Sequence, residues 1–105
     1  MIITTTETIP GKKATKILGV VRGSTIRAKH IGRDIMAGFK TLIGGEIKSY
    51  TSMINEAREE ALDRMIAQAK ELNADAIICM RLVTAEVMPG AAEVLAYGTA
   101  VKLQR

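Results

Sequence analysis

The chain has 105 residues and a formal net charge of +4, and 48% of it is hydrophobic whereas only 3% is aromatic. This length suits a single domain, residues 1–105, with an aliphatic core. One cysteine excludes an intrachain disulfide. No segment shows the pattern of a signal peptide or the roughly 20 apolar residues of a membrane-spanning helix. We therefore expect a cytoplasmic protein that does not bind membranes.

The first part of the chain predicts two strands. Ile2–Thr6 is rich in β-branched residues and predicts a strand, and Pro10–Gly11 predicts a turn. Residues 14–28 predict a second strand, in which Gly19 and Gly23 indicate a bulge or a close backbone approach. This region is basic and has no acid between Glu7 and Asp34; the charge fits either a solvated strand face or an anionic partner.

Two helices should follow. Apolar residues recur at helical spacing over residues 30–43, and Gly44–Gly45 should end that short helix. A long amphipathic helix is predicted over Ser52–Leu72, with Asn73 as a left-handed residue that ends it. Its apolar stripe comprises Ile54, Ala61, Leu62, Met65, Ile66, Ala69 and Leu72.

The last third of the chain predicts a β-hairpin. Residues 75–87 and 93–103 have strand character, and Pro89–Gly90 joins them. Gly98 indicates that a helix or another backbone lies very close to the second strand. The element order β, β, short α, long α, β, β defines an α+β fold, with an antiparallel or mixed sheet and the long helix on one of its faces.

The adjacent sulfur atoms of Cys79 and Met80 raise the question of a soft-metal site. Side chains alternate along a regular strand, so these two should point to opposite faces. Alternation predicts that Ala76, Ile78, Met80 and Leu82 lie under the long helix. The other face, with Ile77, Cys79, Arg81 and Val83, should be a half-exposed surface or a subunit interface. A structural metal site needs several such ligands, and the chain has one cysteine and one histidine, His30. Copies from several subunits could still converge on one metal ion.

Catalytic patterns are weak, and we expect neither an enzyme nor a cofactor. His30 is the only imidazole, and no nucleophile–base pair can be assigned. Three scattered aromatic residues are too few for the stacking platforms of a single-strand nucleic-acid binder, so no specific nucleic-acid partner is expected. The best candidate ligand site is the segment before the long helix, where backbone amides could bind a small anion. Its residues are Gly44, Gly45, Glu46, Tyr50 and Thr51, with Arg58 on the helix; a plain capping loop is the alternative.

Several segments resemble the YbjQ family, in order and over nearly the whole chain. They are Gly32-Arg33-Asp34, Gly44-Gly45 followed by Tyr50, residues 56–61 (EAREEA), residues 72–77 (LNADAI) and residues 97–101 (YGTAV). Members of this family are described as heavy-metal-binding, and their biochemical function is essentially uncharacterised. The resemblance implies a subunit similar to that of dodecin, assembled as a homopentameric ring. Two functional hypotheses follow: a non-catalytic oligomer that binds a small anion near residues 44–51 or between subunits, and a protein that binds heavy metal through ligands from several subunits.

Overall fold

The computed structural model describes residues 1–28 and 44–105, with side chains described outside 44–49. The predicted short helix over 30–43 and His30 lie outside the described residues. Four strands and one helix are present in the described part: β1 (Ile2–Ile3), β2 (Ala14–Ala28), α1 (Gly44–Glu71), β3 (Ala76–Met88) and β4 (Ala91–Leu103).

The strands form one mixed sheet in the order β1-β3-β4-β2. β1 pairs with β3 in parallel, and the β3–β4 and β4–β2 pairs are antiparallel. Helix α1 packs on one face, mainly against β2 and β4. The predicted α+β fold is therefore confirmed, and so is the hairpin that Pro89–Gly90 connects.

Helix α1 is longer than the sequence predicted, since it includes Gly44–Thr51. Both glycines, which the sequence predicts to end the short helix, lie in α1; the short helix itself is outside the described residues. A glycine costs a helix about 1 kcal/mol relative to alanine, and this cost disfavours a helix without forbidding it. No proline interrupts the following residues, so the helix continues through the segment that we expected to be a loop.

The C-terminus of α1 ends as predicted. Asn73 adopts φ 59°, the left-handed conformation that the sequence assigned to it. The Ala74 N–H donates to the Ala69 carbonyl at 3.1 Å, and the Asn73 N–H donates to the Lys70 carbonyl at 3.0 Å. These are the two hydrogen bonds of a Schellman motif, which satisfies carbonyls at the end of the helix and directs the chain into β3.

The helix lies unusually close to β2 at Gly23. A Cβ atom added to Gly23 would lie 2.3 Å from the Ala61 carbonyl oxygen and 2.4 Å from the Met65 nitrogen. The close backbone approach predicted for Gly23 is therefore confirmed, and the neighbour is α1. Gly19 marks the predicted bulge instead, with φ 134° and a register shift between Ile17 and Gly19.

A β-bulge at Cys79 changes the predicted faces of β3. Cys79 has φ 55°, and the pairing with β4 shifts between Ile78 and Arg81. One extra residue on β3 reverses the alternation, because two residues of the bulged strand oppose one on its partner. The regular alternation assumed for Cys79 and Met80 therefore does not hold at this point.

As a consequence, half of the β3 residues that were predicted to lie under the helix lie on the other face of the sheet. Ile77 belongs to the core beneath α1 and Met80 packs against that core. Ala76 and Ile78 lie on the opposite face, because their partners Val101 and Thr99 alternate with the core residues of β4. The face assigned to Met80 is correct, and the faces assigned to Ile77, Ala76 and Ile78 are not.

Gly98 lies opposite the bulge. A Cβ atom there would lie 2.6 Å from Cγ2 of Ile77 and 3.1 Å from the Ile78 carbonyl oxygen. The predicted close approach is confirmed, but the neighbour is the bulged strand β3 and not a helix.

Residues 4–13, here called the N-terminal arm, connect strands at opposite edges of the sheet. β1 lies at one edge and β2 at the other, so the arm must cross a face of the sheet. Ala76 and Val101 lie opposite the helix and are nevertheless fully buried. A depression beside them is lined by residues of the arm and by Ile78 and Leu103. The arm therefore covers one end of the face that α1 leaves open.

The arm contains the predicted turn at Pro10–Gly11. The Lys12 N–H donates to the Ile9 carbonyl at 3.0 Å, and Gly11 adopts φ 76°. Proline followed by a glycine with positive φ is the signature of a type II turn. This turn sends the chain back towards β2.

Candidate functional site

The residues of the predicted anion site lie in a helix, whereas the sequence predicted a loop. Gly44, Gly45 and Glu46 lie in the first turn described for α1, and Tyr50 and Thr51 lie on its second and third turns. The side chain of Tyr50 is half-buried and that of Thr51 is exposed. The candidate residues are therefore spread along a helix and do not form a loop.

Arg58 is too far along the helix to join Tyr50 at one small ligand. Eight residues of α-helix separate them, a rise of about 12 Å. The Arg58 guanidinium is exposed and donates to Oδ1 of Asn55 at 3.2 Å. Tyr50 and Thr51 are neighbours in sequence on α1, and Arg58 lies about two turns away.

Cys79 lies half-buried at the edge of the sheet, where the N-terminal arm runs alongside the bulge. Its N–H donates to the Thr6 carbonyl at 3.0 Å, and the Met80 N–H donates to the Thr4 carbonyl at 3.0 Å. Within residues 1–28 and 44–105, no group of three or more His, Cys, Asp or Glu side chains is placed to hold a metal ion. A heavy-metal site that used Cys79 would need ligands from elsewhere.

The most distinctive surface of the molecule is the sheet face opposite α1, here called the open face. Its side chains come from alternate positions of three strands: Ile17, Val20, Arg22, Ser24 and Ile26 of β2, Glu93, Leu95, Tyr97, Thr99 and Val101 of β4, and Ala76, Ile78, Arg81, Val83 and Ala85 of β3. Ile17 is 72% exposed, Val20 71% and Ile26 63%. An apolar surface of this extent on a small domain indicates an interaction site.

Two arginines flank a tyrosine across the middle of the open face. Arg22 on β2 and Arg81 on β3 both pair in register with Tyr97 on β4. Arg81 is held in place, because its Nη1 donates to the Thr5 carbonyl at 2.9 Å and to the Met80 carbonyl at 2.8 Å. Arginine and tyrosine are the residues most often found at the energetic centre of protein interfaces.

The outer edge of β2 is protected by side chains of α1. The Arg22 N–H donates to Oε1 of Gln68 at 2.7 Å, and Arg64 donates to the Ser24 carbonyl. Glu60 accepts from both Arg64 and Arg27, which ties the helix to the strand. An exposed strand edge invites pairing with another chain, and these contacts occupy part of it.

Asp75 links the start of β3 to the end of β4. Its Oδ2 accepts from the Leu103 N–H at 2.9 Å, and Lys102 and Arg105 lie 4.0 Å and 3.6 Å from its Oδ1. The Leu103 N–H, followed by the two cations, holds the pKa of Asp75 below its ordinary value of 3.8. This carboxylate has a structural role that the sequence did not single out.

The sequence anticipated only the β3 part of the open face, since Arg81 and Val83 were expected on a half-exposed surface or a subunit interface. A signal for the β2 part was also present. Val20 and Val21 are adjacent in β2, so one of them must lie on each side of the sheet. Val21 is fully buried under the helix and Val20 is exposed. Consecutive apolar residues in a strand indicate that both faces are to be covered.

These features define a small α+β protein with one helix-covered sheet face and one apolar open face. A family model described as "Putative heavy-metal-binding" matches residues 1–104, and the chain belongs to this family, YbjQ. A "UPF0145 protein" from Archaeoglobus fulgidus is 59% identical over 104 residues, covering 99% of this chain and 96% of that protein. Another from Thermotoga maritima is 59% identical over 105 residues, covering 100% and 99%.

A solved structure has a similar fold. The crystal structure of a protein of unknown function from Pediococcus pentosaceus, assigned to the DUF74 family, matches with a TM-score of 0.71 at 24% sequence identity. The match covers 99% of this chain and 98% of that one. In the part of the chain that the structure describes, no helix is long and apolar enough to cross a membrane.

Proposed function

We propose that the protein is a cytoplasmic, non-catalytic homo-oligomer, a closed ring of five subunits, that binds a small anion between subunits. The observation that carries this proposal is the apolar open face. Ile17, Val20 and Ile26 are each more than half exposed, and they line one side of a single strand. Fully burying such a side chain stabilises a protein by about 1.5–3 kcal/mol, and this gain is available to a partner that covers the face.

The dimensions of the chain also support association. The radius of gyration is 17.6 Å. A compact domain of this length has a radius of gyration of about 13 Å. A subunit this elongated leaves much of its sheet accessible, as expected when a neighbouring subunit completes the core.

Charge complementarity points to a second copy of the chain as the partner. On the open face two arginines, Arg22 and Arg81, outnumber one acid, Glu93. The exposed side of α1 has an excess of acids, which include Glu56, Glu59 and Asp63. Contact between the open face of one copy and the helix of the next is heterologous, and heterologous contacts close into rings when the rotation allows it. The number five follows from the family resemblance.

Arg22 and Arg81 support the anion-binding part of the proposal. Both lie on the open face, and neither has a carboxylate within ion-pair distance among the residues that the structure describes. A contact that removed them from water would leave two charges to be compensated. An acidic side chain of the neighbour or a small bound anion would provide that compensation. Gly44–Thr51 remains the other proposed position for the anion.

Size measurement on a matched pair of variants tests assembly. We expect multi-angle light scattering and native mass spectrometry to give a pentamer for the native chain. Val20→Glu should dissociate it, because the open face would then bury a charge, whereas Val20→Ile should leave its size unchanged. A native chain that is monomeric at micromolar concentration contradicts the proposal.

Heavy-metal binding is the second candidate, and the description of the family favours it. Cys79 from several subunits, with His30 or acidic side chains, would supply the ligands. Elemental analysis of untagged protein tests this function. We expect stoichiometric metal that is lost in Cys79→Ala if this candidate is right; metal that is unchanged in both Cys79→Ala and His30→Ala excludes these two residues as ligands.

A further inference from the structure

The depression between the N-terminal arm and the sheet has a volume of about 280 Å³. Ile9 and Ala14 line it from the arm and the start of β2, and Ile78 and Leu103 line it from the open face. It is therefore an apolar recess at the covered end of that face. Ligand sites in proteins typically begin at about 300 Å³, so its size suits a small molecule.

Three charged side chains also line this recess. Lys12 and Lys13 follow the type II turn, and Glu7 precedes it. Two ammonium groups and one carboxylate leave one net positive charge beside the apolar lining. Neither lysine forms an ion pair within residues 1–28 and 44–105.

The position of the lysines is fixed by the backbone. The Gln104 N–H donates to the Lys13 carbonyl at 2.8 Å, and Ala14 pairs with Leu103. The Lys12 N–H closes the turn on Ile9. Both lysines therefore stem from a rigid turn, and ordering them around a ligand costs only side-chain entropy.

We propose that this recess binds a small monocarboxylate with an apolar body. The apolar part would lie against Ile78 and Leu103, and the carboxylate would accept hydrogen bonds from the ammonium groups. A single negative charge matches the net charge of the recess. A di- or trianion such as phosphate matches less well, because it lacks an apolar part and would be repelled by Glu7.

This inference rests on the anion-binding part of the proposed function alone. It names the ligand class and moves the anion from between subunits to a recess within one subunit. It does not depend on the number of subunits. The recess also lies apart from Gly44–Thr51, so binding at the two places can be told apart by the residues that respond.

The test uses hexanoate as the probe and methyl NMR of the full chain as the readout. We expect the methyl signals of Ile78 and Leu103 to shift with a dissociation constant in the millimolar range, which is about −4 kcal/mol for a ligand of this size. Acetate lacks the apolar body and hexan-1-ol lacks the charge. Both should bind at least about fivefold more weakly if each part contributes roughly 1 kcal/mol.

Lys13→Met and Lys16→Met form the matched pair of variants. Each removes one positive charge and retains most of the aliphatic stem, but Lys16 does not line the recess. Lys13→Met should weaken hexanoate binding about fivefold, and Lys16→Met should change it less than about twofold. Equal losses in both variants, equal binding of hexan-1-ol, or no shift at Ile78 and Leu103 would each overturn the proposal.

Light scattering on the same samples separates this result from the assembly proposal. A pentamer that does not respond to hexanoate removes the recess site and leaves assembly intact. A monomer that binds hexanoate with the expected Lys13 dependence supports the site and contradicts assembly.

Discussion

The two faces of the sheet differ in the size of their side chains. Beneath α1 the packing is dominated by small residues, and five of the nine residues of the buried core cluster are alanine. The open face instead carries isoleucine and valine, including Ile17, Val20 and Ile26. A monomeric sheet would ordinarily place its larger aliphatic side chains on the buried side.

This difference indicates two separate uses of apolar surface. Small residues let α1 approach β2 closely, as the fit around Gly23 demonstrates. Such packing positions the helix, but it removes little apolar area from water per residue, and the free energy of burial scales with that area. The larger side chains remain for a partner, so this comparison supports the proposed assembly more directly than any single residue does.

Truncation of a large side chain on each face should have unequal effects. Met65 is fully buried, whereas Ile26 is 63% exposed. Met65→Ala should lower the free energy of unfolding by about 3 kcal/mol at every protein concentration, because it leaves a cavity. Ile26→Ala should cost less than about 0.5 kcal/mol in dilute protein and more where subunits associate. Chemical denaturation over a range of concentrations measures both, and equal losses in dilute protein contradict the distinction.

The close contact between helix and sheet predicts a second large effect. Gly23→Ala should lower the free energy of unfolding by about 2–3 kcal/mol, since the new methyl group meets backbone atoms of α1 that cannot rotate away. Ser24→Ala, one position along on the open face, should change it by less than about 0.5 kcal/mol. Urea denaturation of both variants provides the comparison. A Gly23→Ala protein as stable as the native chain would contradict the packing described around Gly23.

The bulge at Cys79 should reverse the usual preference of a strand for valine over asparagine. Regular strands favour valine by up to about 1 kcal/mol, whereas a left-handed residue favours asparagine. We therefore expect Cys79→Asn to be more stable than Cys79→Val by about 1 kcal/mol. Thr84, an exposed and regularly paired residue of β3, is the control: there Thr84→Val should be the more stable variant. The same order at both positions contradicts the bulge.

The sequence predicted the elements well where periodicity and turn chemistry agree. The hairpin, the left-handed Asn73 and the close approach at Gly23 all follow from local rules about glycine, asparagine and strand alternation. The two errors have physical causes. Gly44–Gly45 disfavours a helix only weakly, and α1 includes residues before the predicted start at Ser52. The bulge at Cys79 carries no glycine, so nothing in the sequence marked the reversal of faces.

The candidate site was less predictable than the fold. The sequence predicts an anion site at 44–51 because it predicts a loop there, and in the structure this segment is helical. The open face and the recess beside Lys13 depend on which strands become neighbours and on the path of the arm across them. Both are consequences of topology, which local sequence rules do not determine.

The smallest expected effect concerns Asp75, at the end of the sheet that the N-terminal arm covers. Its pKa is lowered in the folded protein, so its contribution to stability is present above the ordinary value of 3.8 and is lost as the pH falls through the lower folded value. Asp75→Asn keeps an acceptor for the Leu103 N–H but removes the attraction to Lys102 and Arg105. We expect the variant to be less stable than the native chain at neutral pH, with the difference shrinking below pH 3.8.

Thermal denaturation between pH 2 and 7 measures this difference, and Glu59→Gln provides a control that removes the same charge from the exposed side of α1. A difference between Asp75→Asn and the native chain that stays constant over the whole range would mean that the charge of Asp75 does not stabilise the fold. A difference that shrinks in acid only for Asp75→Asn would show that this carboxylate joins the ends of β3 and β4 through its charge. The lining of the recess includes Leu103, whose N–H binds Asp75, so the same variant should also alter the methyl signals of Leu103.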